Sequence, residues 1–101
     1  MTEEQIAKVE EWKKEYPHIY KSTISGEDYI YRTLTRDDYI QLTIKQAMNP
    51  QTFDHDMEVF QTCVLSEFDV KELINRGGVV TVISEKIMLK SGFEAVESEE
   101  L

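Results

Sequence analysis

The segment DYIYRTLTRDDY, residues 28–39, decides how this chain folds. Its first half is rich in tyrosine, isoleucine and threonine, a composition typical of a β-strand. Thr35 then precedes Asp38 by the three residues of a helix capping box, so a helix is expected to begin at residue 36. The sequence therefore predicts a strand that passes directly into a helix, with Arg32 at the junction.

Upstream of this segment the sequence predicts a β-hairpin over residues 18–34, with the turn at Ser25-Gly26-Glu27. An isolated two-stranded hairpin is marginal in water, so it must pack on helices or on a neighbouring subunit. A first helix is expected over residues 2–16 and is stopped by Pro17. Trp12 lies on its apolar stripe and is expected to anchor this helix to the domain.

Downstream, the hydrophobic spacing predicts helices over residues 36–48 and 53–66 and a short helical turn over 69–75. Gly77-Gly78 is expected to end that turn, and residues 79–80 to be extended before a last helix that starts at Thr81 or Ser84 and runs to Leu89. The predicted fold class is α+β, predominantly helical, with four to five helices and one β-hairpin. Residues 1–93 form a single domain, and residues 94–101 form an acidic, flexible tail.

The charge of the chain limits its partners. Its 101 residues carry 20 acidic and 11 basic side chains, a net charge of −9. Such a chain lacks the basic excess that displaces counterions from nucleic acid, and it is not expected to bind an anionic membrane. No apolar run reaches the ~20 residues needed to span a bilayer, and no secretory signal is visible.

Few residues carry catalytic or metal-binding chemistry. Asp54-His55-Asp56 with Glu58 is the main candidate cluster, but neighbouring helical positions do not converge, and acidic residues are common in the first turn of a helix. Cys63 lies on an apolar stripe in an acidic segment, so it is expected to be a buried, unreactive thiol. We therefore expect no catalytic residue, no metal and no cofactor, and a protein that is not an enzyme.

The tyrosines suggest a partner-binding surface. Because tyrosine buries a large area and keeps a polar tip, it is enriched at interfaces. Tyr29 and Tyr31 are predicted to be exposed in the free monomer, Arg32 to bridge Asp37 and Asp38, and helix 53–66 to form an acidic rim. The alternative is that about half of the tyrosines are ordinary core residues. The predicted partner-binding residues are Tyr29, Tyr31, Arg32, Tyr39 and Phe60.

Residues 19–93 resemble a family of small proteins from long-tailed bacteriophages: the tail assembly chaperones and the related proteins of the baseplate hub. The resemblance is carried by residues 29–39, by Cys63-Val64-Leu65, by the acidic turn and the glycines that follow it, and by Ser91-Gly92-Phe93. The family usually has proline at the position of Thr33 and soon after the Cys-Val-Leu run, where this chain has Ser66-Glu67.

The resemblance implies a non-enzymatic role in virion assembly. A tail assembly chaperone would bind the tape measure protein in the host cytoplasm while tail-tube subunits polymerise, and would then leave. A structural component of the baseplate hub, retained in the virion tail, is the alternative. The expected partners are phage tail proteins, either the tape measure protein or hub subunits. A second copy of the chain is also a possible partner. An acidic mimic of DNA that blocks a host defence protein is an alternative of another class, and it requires carboxylates spaced like phosphates.

Overall fold

The computed structural model describes all 101 residues and shows a mostly helical domain with five helices and one two-stranded hairpin. The elements follow in the order α1 (Glu3–Glu15), β1 (Ile19–Ile24), β2 (Glu27–Arg32), α2 (Arg36–Met48), α3 (His55–Cys63), α4 (Val70–Asn75) and α5 (Gly77–Lys90). The predicted fold class, α+β and predominantly helical with four to five helices and one hairpin, is confirmed.

The hairpin closes on a two-residue turn, one residue shorter than predicted. Ser25 and Gly26 have φ angles of 51° and 82°, and positive φ at both central residues is the requirement of a type I′ turn. The antiparallel register places Tyr20 opposite Tyr31 and Ser22 opposite Tyr29. These four side chains therefore share one face of the hairpin, because directly paired residues point to the same side.

The hairpin is extended by a short third segment beyond β2. Tyr31 forms an isolated antiparallel bridge with Val64, and the amide of Leu65 donates to the carbonyl of Ile30 over 2.8 Å. The Ser66 hydroxyl accepts from the amide of Ile30 at 3.0 Å. Both edges of β2 are thus paired, and the strand lies at the centre of the fold.

The core lies between one face of the hairpin and the helices α3 and α5. Its fully buried members include Val59, Phe60 and Cys63 of α3 and Ile83 and Ile87 of α5, all with no exposed area. The helix α2 packs beside α3 and contributes only Leu42 to the buried set.

The start of α5 differs from the prediction. Gly77 and Gly78 begin the helix rather than ending the preceding turn, and Val79 and Val80 are helical and buried, not extended. Both valines pack in the core, and this burial outweighs the low helix propensity of glycine and β-branched residues. The helix α3 is also shorter than predicted, because Asp54 caps it by accepting from the amide of Met57 and the chain turns extended at Val64.

The two ends of the chain are the least packed parts of the structure. The helix α1 contains no buried residue, and residues 94–101 form no helix or strand and are all exposed. The radius of gyration of 15.2 Å exceeds the about 13 Å expected of a compact domain of 100 residues. None of the helices has the length and apolar character needed to cross a membrane.

Candidate partner-binding surface

Three of the five predicted partner-binding residues belong to the core. Tyr29, Tyr31 and Phe60 are 8%, 2% and 0% exposed, so the expectation that both tyrosines are exposed in the monomer is wrong. The rings of Tyr29 and Phe60 meet edge to face at 5.9 Å. The hydroxyl of Tyr31 is bonded to that of Ser22 at 2.8 Å, which permits its burial.

The centre of β2 is buried on both faces, whereas Lys21 and Thr23 of β1 are exposed. Tyr29 and Tyr31 face the core, while Ile30 points to the opposite side and is still only 3% exposed. Ile30 lines a cleft with Trp12 of α1 and Leu65 of the third extended segment. The segment after α3 and the first helix therefore cover the face that the sequence alone left open.

Arg32 ties three elements together at the end of β2. Its Nη1 donates to Asp38 Oδ2 at 2.7 Å and to the carbonyl of Thr33 at 3.0 Å, and its Nη2 donates to the carbonyl of Thr62 at 3.1 Å. The guanidinium also lies 5.3 Å from the ring centre of Tyr16. The predicted bridge to α2 is confirmed for Asp38, whereas Asp37 is exposed and forms no ion pair.

The carboxylate of Asp38 is held in its charged form. Burial acts to raise its pKa. The hydrogen bonds that it accepts from Arg32 and from the amide and the hydroxyl of Thr35 outweigh burial and lower the pKa below the ordinary 3.8. The same oxygen accepts from Arg32 and from the amide of Thr35, at 2.7 and 3.0 Å. Asp38 thus completes the capping box of α2 and joins that helix to the hairpin.

Tyr39 lies where α2 contacts the end of α5. It is half-buried, with its ring 4.9 Å from that of Phe93. The Ser91 hydroxyl accepts from the amide of Leu34 at 2.8 Å, and it donates to the carbonyl of Ile87 at 2.6 Å. Residues 29–39 therefore contact both the segment after α3, through Tyr31 and Val64, and the end of α5, through Leu34 and Ser91.

The exposed apolar surface lies on other residues. On α2, Ile40, Ile44 and Met48 are 42%, 48% and 74% exposed, and their four-residue spacing places them on one face, which we call the α2 stripe. This face points away from the buried Leu42. Lys45, the one basic residue between them, is held by Glu58 of α3 at 2.9 Å.

The predicted acidic and thiol candidates are engaged within the fold. Asp54 caps α3, Asp56 accepts from the hydroxyl of Thr81 at 3.0 Å, and Glu58 pairs with Lys45. No group of three or more potential metal ligands is present. Burial raises the pKa of the Cys63 thiol to about 11, so the thiolate is scarce at neutral pH.

Comparisons with protein-family models, with curated proteins and with solved structures give no match for this chain. The likeness to phage tail proteins therefore rests on the sequence segments alone.

The α2 stripe was absent from the predicted partner-binding residues, although the sequence carried a signal for it. The apolar residues of α2 cover more than one face of the helix, and a helix of a small domain buries only one. The second apolar face is then available to a partner.

Proposed function

We propose that this protein is a non-enzymatic tail assembly chaperone that binds the tape measure protein in the host cytoplasm during tail morphogenesis. The observation that carries the proposal is the α2 stripe, a row of exposed apolar side chains on a strongly acidic domain. The sequence resemblance supplies the identity of the client, and the α2 stripe supplies a surface for it.

The α2 stripe suits a helical client. Amphipathic helices bind by laying apolar residues at positions i, i+3, i+4 and i+7 against an apolar surface. Ile40, Ile44 and Met48 offer such a surface along about two turns of α2. The tape measure protein, as the resemblance describes it, is prone to aggregate until tube subunits surround it, so covering its apolar helices is the task of the chaperone.

The charge of the domain supports the same role. A net charge of −9 opposes self-association and keeps a complex soluble through repulsion between its copies. The acidic mimicry of DNA is less well supported, because Asp54, Asp56 and Glu58 each bind a group of this chain rather than forming an open row of carboxylates.

The test is co-expression with the tape measure protein of the phage that encodes this chain. We expect the wild-type chain to keep the tape measure protein in the soluble fraction and Ile44→Glu to lose that ability. Ile74→Glu is the matched control, since Ile74 is 70% exposed but lies on α4, outside the α2 stripe. Thermal melting must show that both variants are folded. Equal loss in both variants, or retention in both, would contradict a client site on α2.

Mass spectrometry of mature particles separates this role from the hub alternative. A chaperone leaves before maturation and is expected to be absent from the particle. A stoichiometric amount in purified virions would instead identify a permanent component of the baseplate hub.

A further inference from the structure

The outer edge of β1 has no partner strand, and the hydrogen bonds of β2 show which of its backbone groups point there. The amide of Ile30 donates to Ser66 Oγ and the carbonyl of Ile30 accepts from Leu65, so both groups point away from β1. Opposite residues of an antiparallel pair exchange both backbone hydrogen bonds or neither. Lys21, which lies opposite Ile30, therefore directs its own amide and carbonyl away from β2.

Three residues of β1 present their backbone groups to this free edge. They are Ile19, Lys21 and Thr23, because the backbone groups of alternate residues in a strand point to the same side. No amide or carbonyl of these residues forms a hydrogen bond with another segment of the chain. Lys21 and Thr23 are also exposed. Such a row of free donors and acceptors is a template for a further strand.

A depression lies beside β1 on the core side of the free edge. Its volume is about 410 Å³, and its apolar walls are Ile24, Val79 and Val82. It touches the hairpin only through Ile24 of β1, so it lies beyond that strand rather than beneath β2. Gly77-Gly78 also lines it, and a Cβ at either glycine would meet no atom within 4 Å. The helix α5 therefore leaves an open apolar space where a side chain of a further strand would lie.

Lys21 gives the free edge a charge preference. Its side chain is exposed and forms no ion pair, and β1 contains no acidic residue. Opposite charges that face each other on neighbouring strands stabilise the pairing, whereas like charges destabilise it. The edge therefore favours an acidic residue opposite Lys21. It disfavours a symmetric pairing of β1 with β1 of a second copy centred on Lys21, which would place two lysines opposite each other.

We propose that the free edge of β1 binds an extended segment of a partner protein by antiparallel strand addition. The backbone of the segment bonds to the outward groups of β1, an acidic side chain lies opposite Lys21, and an apolar side chain opposite Ile24 enters the depression. Because the added strand runs from Ile24 towards Lys21, its apolar residue precedes its acidic residue by three positions. In strand addition the backbone bonds supply affinity and the pockets for side chains supply specificity. This surface contains no residue of the α2 stripe and does not depend on the proposed function.

The acidic tail of a second copy is the alternative occupant, because it contains the same spacing. Val96 precedes Glu99 by three residues, but residues 94–101 form no strand and are exposed in the structure. A second copy would bring a net charge of −9, and its tail would bring four glutamates to one lysine. Repulsion between the copies therefore favours a partner segment with a single acidic residue.

The first experiment titrates the full ¹⁵N-labelled chain with short, threonine-rich synthetic peptides. One peptide carries leucine three residues before glutamate, a second has lysine in place of the glutamate, and a third has glutamate three residues before leucine. We expect the first peptide to shift the amide signals of Lys21, Thr23 and Val82, and the other two to bind about two- to fivefold more weakly. Equal binding of all three peptides, signal changes located elsewhere, or no binding at millimolar concentration would overturn the proposal.

Backbone methylation of the first peptide tests strand addition directly. The glutamate opposite Lys21 directs its amide to β1, whereas the residue after it directs its amide away. We expect methylation of the glutamate amide to weaken binding about tenfold or more, and methylation of the next amide to leave it nearly unchanged. Equal losses from the two methylations would contradict a strand at this edge.

A charge exchange separates the edge from the overall charge. Lys21→Glu and Lys71→Glu change the net charge equally, but Lys71 lies on α4, outside the edge and the depression. We expect Lys21→Glu to weaken binding of the glutamate peptide and to strengthen binding of the lysine peptide, each about two- to fivefold. Lys71→Glu should leave both nearly unchanged. The same change in both variants would show that only net charge attracts the peptides.

Sedimentation equilibrium of the free chain distinguishes a partner protein from a second copy. We expect the wild-type chain to be a monomer. Lys21→Pro removes an outward amide and no hydrogen bond of the hairpin, so it should leave the hairpin intact. A wild-type dimer that becomes a monomer in Lys21→Pro would assign the edge to a second copy and overturn the proposal. The co-expression test on Ile44 does not involve this edge, so failure of the peptides to bind leaves the proposed function standing.

Discussion

The first and last helices of this protein contrast in how they are specified. The helix α1 has a complete capping box at Thr2 and Gln5, acidic residues in its first turn and basic ones in its last, yet no residue of it is buried. The helix α5 begins at two glycines without a side-chain cap, yet five of its residues are buried. Local signals specify α1, and tertiary packing specifies α5.

The difference has a consequence for stability. Capping and charge at helix ends contribute about 0.5–2 kcal/mol each, whereas a buried aliphatic or aromatic side chain contributes about 2–5 kcal/mol. The region around α3 and α5 is therefore expected to carry the free energy of unfolding, and α1 to be the first element that opens.

The largest loss of stability is expected from a substitution at Phe60, in the core between α3 and α5. Phe60 has no exposed area and contacts the rings of Tyr29 and Phe68, the latter at 4.9 Å. We expect Phe60→Ala to lower the free energy of unfolding by about 3–5 kcal/mol, because it leaves a cavity in the core. Chemical denaturation measures this loss. A loss below that of Trp12→Ala would reverse the ranking of the two regions.

The next largest effect is expected from the contacts that Arg32 makes with α2 and α3. We expect Arg32→Ala to cost about 2–3 kcal/mol, since it leaves the carbonyl of Thr62 and the carboxylate of Asp38 without a donor. Arg32→Lys keeps the charge but cannot reach both acceptors, so it is expected to recover only part of the loss. Wild-type melting temperatures in both variants would show that the contacts of Arg32 do not stabilise the fold.

The pH dependence of stability provides a second test of the contact between Arg32 and Asp38. The pKa of Asp38 is lower in the folded than in the unfolded chain, so its contribution to stability is present above about pH 4 and is lost as the pH falls through the folded-state pKa. We expect the difference in unfolding free energy between the wild type and Asp38→Asn to shrink as the pH is lowered from 6 to about 2. A difference that does not change with pH would mean that the charge of Asp38 is not stabilising.

A smaller effect is expected on the α1 side. Trp12 is half-buried and lines the cleft over Ile30, so Trp12→Ala should cost about 1–2 kcal/mol, less than the 3–5 kcal/mol of a fully buried aromatic. Fluorescence of Trp12 should report the opening of α1 at a lower denaturant concentration than circular dichroism reports global unfolding. Coincident transitions would show that α1 unfolds with the core.

The smallest expected effect is a gain. A Cβ at Gly77 or Gly78 would meet no atom within 4 Å, and neither residue has a positive φ. We expect Gly78→Ala to stabilise α5 by about 0.5–1 kcal/mol, because alanine loses less backbone entropy in a helix. Gly26→Ala is the control, because Gly26 has a φ of 82° in the hairpin turn and the substitution should destabilise. A loss of stability in Gly78→Ala would mean that the start of α5 needs the freedom of glycine.

Signals that act over three or four residues were sufficient for much of this fold. The capping boxes at Thr2 and Thr35, the stop at Pro17 and the turn at Gly26 place α1, the hairpin and α2 within a few residues of the prediction. The contact between Arg32 and Asp38 was also predictable, because only six residues separate them. Each of these features is set by backbone geometry and hydrogen bonds between sequence neighbours.

Burial, in contrast, was decided by contacts between distant residues. Tyr29 and Tyr31 are buried because their face of the hairpin packs on the core that α3 and α5 complete, and Ile30, on the other face, is buried beneath Leu65 and Ser66. Val79 and Val80 are helical because that conformation places them in the core. The packing of α3 on α5 also joins distant residues, as in the hydrogen bond from the Thr81 hydroxyl to Asp56 across 25 residues. The sequence alone determined where the chain turns and caps, because those energies are local; the tertiary structure decided which faces are covered, because that depends on the segments that pack against them.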